Sequence, residues 1–299
     1  MSTGKIIAGC LAPHPPHLVY AQNPGQNEPE AKGTGAWSPL LEGYEALRSS
    51  LEASDFDVLI IHTPHWKTVV GHHFLGVPAF KDVSLDPIFP TLFRFHYDLK
   101  VDVELAQEIA DQANERGLVT SMMRNPDFRV DYGTITSCHL SYPKWDKPLV
   151  VLSSASPYSY YSHDVGDAQM LALGEATRVA VEKSGKRAVL LASTSLSHRH
   201  FTDEPEDPED PRFESIYNGN QAAWDAHILE LFRRGDCERV LAEMPDFIEQ
   251  AISECREGSL TWLLGALGVP DYPAKIHGYG SVIGTGNAIV EWSCEEQVL

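Results

Sequence analysis

Apolar residues in this chain follow two rhythms. Short unbroken runs at Ile6–Cys10, Phe56–Ile61, Leu149–Leu152 and Ala188–Ala192 predict buried strands. Between them, apolar residues recur every three or four positions. Leu40–Ala53 carries Leu40, Leu41, Tyr44, Leu47 and Leu51, and Asp102–Glu115 carries Val103, Leu105, Ile109 and Ala113, so both predict amphipathic helices. Further helices are expected over Gly166–Ser184, Asn218–Arg233, Glu238–Ala242 and Asp246–Leu267, with a last strand over Ala288–Trp292. Arg129–Thr134 reads as a turn that opens another helix. This strand–helix–strand order predicts an α/β fold, a layered sandwich with a central mixed or mostly parallel sheet flanked by helices. Gln22–Gly35 and Gly71–Phe95 read as irregular, and Asp203–Pro211 as an acidic, proline-punctuated surface loop. The glycine-rich Gly278–Gly286 lacks the GKS or GKT ending of a phosphate loop and reads as turns. No linker divides the chain, so residues 1–299 are expected to form one domain.

Composition narrows the function classes. Apolar residues make up 43% and charged residues 22%, which is ordinary for a globular protein. No uncharged apolar run approaches the ~20 residues of a membrane span, and the start, Met1–Lys5, lacks a signal peptide's apolar segment. Cys10, Cys138, Cys237, Cys255 and Cys294 are scattered, without a CxxC pair, as expected of reduced thiols in a cytoplasmic protein. The net charge of −19 argues against a nucleic-acid partner.

The histidines change the picture more. The first strand runs into Leu11-Ala12-Pro13-His14-Pro15-Pro16-His17, where three prolines stiffen the turn. The second runs into His62-Thr63-Pro64-His65-Trp66, and the fourth into Ser193-Thr194-Ser195-Leu196-Ser197-His198-Arg199-His200. One such loop would read as a solvated turn. Repetition at several strand ends points instead to a ligand site at the carboxyl edge of the sheet. Neutral imidazoles with a carboxylate suit a divalent metal, including non-haem Fe(II). Spacing leaves the choice within each pair, His14 or His17 and His62 or His65, open, and does not name the carboxylate. Neither an HExxH helix nor a GxSxG elbow is present.

Five motifs occur together: Pro13-His14-Pro15-Pro16-His17, Pro64-His65-Trp66, Asp131-Tyr132-Gly133-Thr134, Ser195-Leu196-Ser197-His198, and Glu254 ahead of Thr261-Trp262. In this order they resemble the class III extradiol ring-cleaving dioxygenases, the superfamily of protocatechuate 4,5-dioxygenase catalytic chains, over Ile6–Trp292. The resemblance implies a catalytic domain holding Fe(II) on His14, His65 and Glu254, with His17 and His62 in supporting or structural roles. It makes His198 the acid–base histidine. Tyr132 stands where a related branch has a second histidine, which supports the aminophenol-cleaving branch, with Tyr132 and His198 both binding substrate. The implied reaction opens 2-aminophenol, or a substituted relative, with both atoms of O₂, giving an aminomuconic semialdehyde-type product. Its partners are then the aromatic substrate, O₂ and a related non-catalytic subunit, with no nucleic acid and no membrane. A catechol or protocatechuate substrate, a non-catalytic partner chain and a metal-dependent hydrolase are the alternatives. Glu254 is expected on a helical stretch from Phe247, turned inward with Phe247, Ile248 and Ala251. Its rivals Glu249 and Glu257 are expected to be helix-surface charges. His72, His73, His96, His139, His163, His200, His227 and His277 are assigned to surface or packing.

Overall fold

The computed structural model describes residues 3–22, 37–87, 94–201 and 215–294. The acidic loop Asp203–Pro211, and all of the Gln22–Gly35 stretch after Gln22, lie outside them. The elements in chain order are β1 (Lys5–Leu11), α1 (Pro16–Gln22), α2 (Ser38–Ala53), β2 (Val58–His62), β3 (His72–Leu75), β4 (Ala79–Leu85) and β5 (Arg94–Lys100). Then come α3 (Val103–Glu115), β6 (Thr120–Met123), α4 (Tyr132–Ser141), β7 (Leu149–Ser154), α5 (Pro157–Tyr160), α6 (His163–Ser184) and β8 (Arg187–Ala192). The chain continues through α7 (Gly219–Arg234), α8 (Cys237–Gln250), a 3₁₀ turn (Glu254–Glu257), α9 (Ser259–Leu267), β9 (Lys275–Val282) and β10 (Thr285–Ser293).

Eight strands form one mixed sheet in the order β6-β3-β7-β2-β8-β1-β10-β9. Its centre, β7-β2-β8-β1, is wholly parallel, so four carboxyl ends emerge along one edge. Those strands are covered on both faces, which explains their unbroken apolar runs. Val58 and Ile60 face one core with α3, α6, α7, α8 and α9. Leu59 and Ile61 face the other with α2, α4 and the β4–β5 hairpin. The layered α/β expectation therefore holds, and the sheet is mixed.

Two stretches depart from expectation. Gly71–Phe95, expected to be irregular, contains β3, β4 and the start of β5. β4 and β5 pair only with each other and alternate buried and exposed residues, so they show no apolar run. Gly278–Gly286, expected to be turns, is mostly β9 paired with β10. Its glycines serve packing: a Cβ on Gly278 would stand 2.4 Å from the Pro39 carbonyl oxygen of α2. The turn itself is confined to Ile283 and Gly284, both at positive φ.

A buried polar chain ties β2, β3, β7 and α9 together. His62 reaches Ser259 Oγ through Nδ1 and Ser154 Oγ through Nε2, each at 2.8 Å, and His72 Nδ1 meets the same Ser154 hydroxyl at 2.8 Å. Burial lowers the pKa of His62 to about 3 and of His72 to about 4. Both folded values lie below the unfolded ~6.5. The stability these rings contribute is thus complete above pH ~6.5 and lost as pH falls towards the folded values. Each contributes up to roughly 1.4 kcal/mol per pH unit in that window. The urea midpoint should drop between pH 7 and pH 5, and drop less in His72→Asn; equal slopes in both proteins would refute this account.

Candidate metal centre and aromatic pocket

The carboxyl edge of the parallel strands is held by short side chains bonding to backbone. After β1, Ser137 Oγ donates to the Ala12 carbonyl at 2.8 Å, and the Tyr44 hydroxyl donates to that of Pro13. These contacts from α4 and α2 fix the turn that carries His14. Ser193 Oγ, after β8, donates to the Gly133 carbonyl at 3.1 Å and lies 2.9 Å from His14 Nδ1. Its one proton is therefore spent on Gly133, so His14 donates through Nδ1 and leaves Nε2 with a free lone pair. After β2, Ser153 Oγ lies 2.8 Å from the Thr63 carbonyl oxygen and 2.6 Å from that of Trp66, bracketing His65. Asp131 caps α4 by accepting from the Thr134 amide at 3.0 Å, and accepts from Thr63 Oγ1 at 2.7 Å.

Glu254 arrives differently from expectation. α8 ends at Gln250, Ile252 takes a positive φ of 51°, and Glu254 opens the 3₁₀ turn. The helix must break here because the Glu254 amide and Ser253 Oγ both donate to the Leu196 carbonyl, at 3.2 and 2.8 Å. Glu257, expected on the surface, is also buried and accepts from Lys67 Nζ and Ser156 Oγ, both at 2.6 Å. Glu249 is exposed as expected.

His14 Nε2, His65 Nε2 and Glu254 Oε1 converge. The imidazole nitrogens lie 2.7 Å apart, and the carboxylate oxygen is 3.4 Å from the first and 3.5 Å from the second. Donors sharing one cation at roughly 2.0–2.2 Å have such spacings. Two neutral nitrogens and one carboxylate, with Ser193 orienting the first ring, fit a divalent transition metal. Burial, the largest influence on Glu254, would raise its pKa; His198, His14 and His65 more than reverse this, holding the carboxyl well below its usual range.

His198 stands beside the triad. Ser195 donates its amide to Glu254 Oε2 at 2.7 Å and its hydroxyl to the same oxygen at 3.1 Å. The hydroxyl lone pair then takes the proton of His198 Nδ1, 2.7 Å away. Nε2, 3.7 Å from Glu254 Oε1, is left as proton acceptor. Burial, aided by His200, His14 and His65 against the opposing Glu254, brings the His198 pKa down to about 4, so its ring is neutral near pH 7. The Tyr132 hydroxyl lies 2.9 Å from His65 Nε2. Burial and the charges of Asp86, Glu254 and Asp131 raise its pKa, keeping it a phenol.

These five side chains face one cavity of about 440 Å³, whose apolar wall includes Pro15, Phe201, Val282 and Ile283. His17 and His200 also line it, whereas His62 lies within the buried serine–histidine chain. His277 and His227 pair with Glu291 at 2.7 Å and Glu243 at 2.5 Å. Sequence reading missed the residues that hold the site. Ser195 lay inside a recognised motif, yet its role shows only when it bridges His198 and Glu254. Asp225 had no local signal: fully buried, it accepts from the Ser197 amide at 2.9 Å, Ser197 Oγ at 2.7 Å and the Tyr279 hydroxyl at 2.8 Å.

A metal-ready triad opening on an aromatic-sized pocket defines a class, and comparison with known proteins names it. Residues 8–290 match the family model described as the catalytic LigB subunit of aromatic ring-opening dioxygenase, and the chain belongs to this family. It is 52% identical over 293 residues to the 2-aminophenol 1,6-dioxygenase beta subunit of a Pseudomonas species, covering 98% of this chain and 95% of that one. The corresponding alpha subunit is 26% identical, covering 86% and 92%. The 3,4-dihydroxyphenylacetate 2,3-dioxygenase of Escherichia coli is 24% identical, covering 91% and 94%. An uncharacterised Escherichia coli K12 protein of solved structure shares the fold, with a TM-score of 0.62 and 14% identity over 95% of this chain and 99% of the other.

The loop carrying His198 leaves no room beside Gly286, where a Cβ would stand 1.8 Å from Asp225 Oδ2 and 2.7 Å from Ser197 Oγ. Gly286→Ala should therefore destabilise the protein by about 1–3 kcal/mol in urea unfolding. Gly219→Ala, with nothing within 4 Å, should stay within about 0.5 kcal/mol. Matching midpoints for the two variants would show that the Asp225 clamp yields without cost.

Proposed function

We propose that this chain is an Fe(II)-dependent extradiol dioxygenase that opens the ring of 2-aminophenol or a substituted 2-aminophenol with both atoms of O₂. The carrying observation is the His14–His65–Glu254 triangle on a pocket that also presents His198 as a neutral base. The name of the Pseudomonas beta subunit supports the substrate. The filled triad supports a catalytic role, because a chain that only accompanies a catalytic one has no need of three converging donors. Similarity to both an alpha and a beta subunit supports assembly with a related, non-catalytic chain. Among the described residues no helix is long and apolar enough to cross a membrane, and all five cysteines are free thiols.

The protein's residues divide the work. His14, His65 and Glu254 hold Fe(II), which when bound supplies the redox chemistry that lets O₂ react with an aromatic ring. His198 accepts the ring hydroxyl proton at Nε2, and Ser195 holds the imidazole in the tautomer that permits this. Tyr132, un-ionised, offers a hydroxyl hydrogen bond beside His65. Phe201, Val282 and Ile283 pack against the ring and displace water.

Anaerobic Fe(II) loading followed by O₂ uptake with 2-aminophenol and with catechol tests the reading. Faster uptake with 2-aminophenol and a ring-opened chromophore are expected. Uptake with catechol alone would move the substrate assignment, and no iron binding would end the dioxygenase reading. His14→Ala, His65→Ala and Glu254→Ala should each lose stoichiometric iron. His198→Ala should keep iron and lose turnover by roughly 10²–10⁴-fold.

A further inference from the structure

We propose that Asp225 is a positioning residue for the acid–base step, holding the Ser197 backbone so that the adjoining His198 stays aimed into the cavity. This rests on the dioxygenase reading and concerns how the base of that reaction is held. Neither Asp225 nor Ser197 is among the residues lining the cavity, so the effect of Asp225 on the reaction passes through the loop. Asp225 lies on α7, is fully buried, and takes three donors on its two oxygens. The Ser197 amide reaches Oδ1 at 2.9 Å, and the Ser197 and Tyr279 hydroxyls reach Oδ2 at 2.7 and 2.8 Å. Burial raises its pKa to about 6, against the bonds from Ser197 and Tyr279, so near pH 7 the carboxylate accepts all three.

The loop is fastened residue by residue, and the fastenings are separate. Ser195 is held by Glu254, to which its amide donates at 2.7 Å. Leu196 is held on both sides: its amide donates to the Gly286 carbonyl at 2.8 Å, and its carbonyl accepts from the Glu254 amide and Ser253 Oγ. Ser197, the last residue before His198, turns both its amide and its hydroxyl to Asp225, while its carbonyl accepts from the Gly286 amide at 2.9 Å. Without Asp225 the Ser195 and Leu196 contacts to Glu254 remain, so the metal ligand keeps its place. The Ser197 amide, however, loses its buried acceptor, and the main chain that carries His198 is free to shift. Ser195 Oγ still meets His198 Nδ1, but one bond at the ring does not fix where Nε2 stands. A reacting group misplaced by about 1 Å costs on the order of 10²-fold in rate.

The test is a double-mutant cycle on Fe(II)-loaded protein with 2-aminophenol, reading bound iron and kcat per iron. Asp225→Ala should keep stoichiometric iron and lose about 10–10²-fold in kcat. In a His198→Ala background the same substitution should cost less than about threefold, because residues that act as one unit are not additive. A merely structural role would carry the full loss into that background, and this result overturns the proposal. So does loss of iron in Asp225→Ala, or a kcat within about threefold of the wild type. Should Asp225→Ala not fold, Asp225→Asn carries the same cycle. It keeps an oxygen for the Ser197 amide but turns an NH₂ to the two hydroxyls, and should lose about five- to tenfold, again only when His198 is present. No loss in this variant, or a loss that persists in His198→Ala, overturns the proposal equally. Each of these results leaves the dioxygenase reading standing, since the wild type still opens the ring. Absence of O₂ uptake by the wild type with both 2-aminophenol and catechol sinks that reading instead.

Discussion

An ionised carboxylate buried in a protein must receive from its neighbours what water would have provided. Glu254 is such a group, and the surroundings of the carboxyl edge are arranged around it. One oxygen takes the Ser195 amide and hydroxyl; the other faces the imidazoles of His14, His65 and His198. Remove the two Ser195 donors and a buried charge is left partly uncompensated. Supply a divalent cation, and the same arrangement becomes a coordination site whose ligands are already oriented.

The orientation comes from small hydroxyl groups beside the imidazoles. Ser193 and Ser195 each stand between an imidazole and a second acceptor, so a single hydroxyl proton settles which ring nitrogen is left bare. Lys67 and Glu257 join the loop after His65 to the turn that begins at Glu254, so the segments carrying His65 and Glu254 keep a common register. Asp225 does the same for the His198 loop, with Gly286 making room for it. All these groups lie where four parallel strands end together, the edge of an α/β sheet at which loops from distant parts of the chain meet.

Much of this was legible beforehand because burial leaves a local trace. Parallel central strands covered on both faces must be continuously apolar, and β1, β2, β7 and β8 were found on that ground alone. Helices α2, α3 and α6 announced themselves by one apolar face. The hairpin β4–β5 did not, since its half-exposed strands mix charged and apolar residues. Strand β9 did not either, since its glycines are there to admit Pro39 and Gly43 of α2.

The sequence by itself determined the sheet's central strands, the stiff proline turns and the concentration of histidines at strand ends, because each depends on residues adjacent in the chain. It also carried the family motifs that pick out His14, His65, Glu254, His198 and Tyr132. Only the tertiary structure decided why His14 and His65 point outward while His62 binds Ser154 and Ser259, and why Glu254 sits on a turn after a broken helix. It alone brought Asp225 to the His198 loop. Those outcomes depend on hydrogen bonds between segments tens to hundreds of residues apart, and such partners leave no periodicity in either segment.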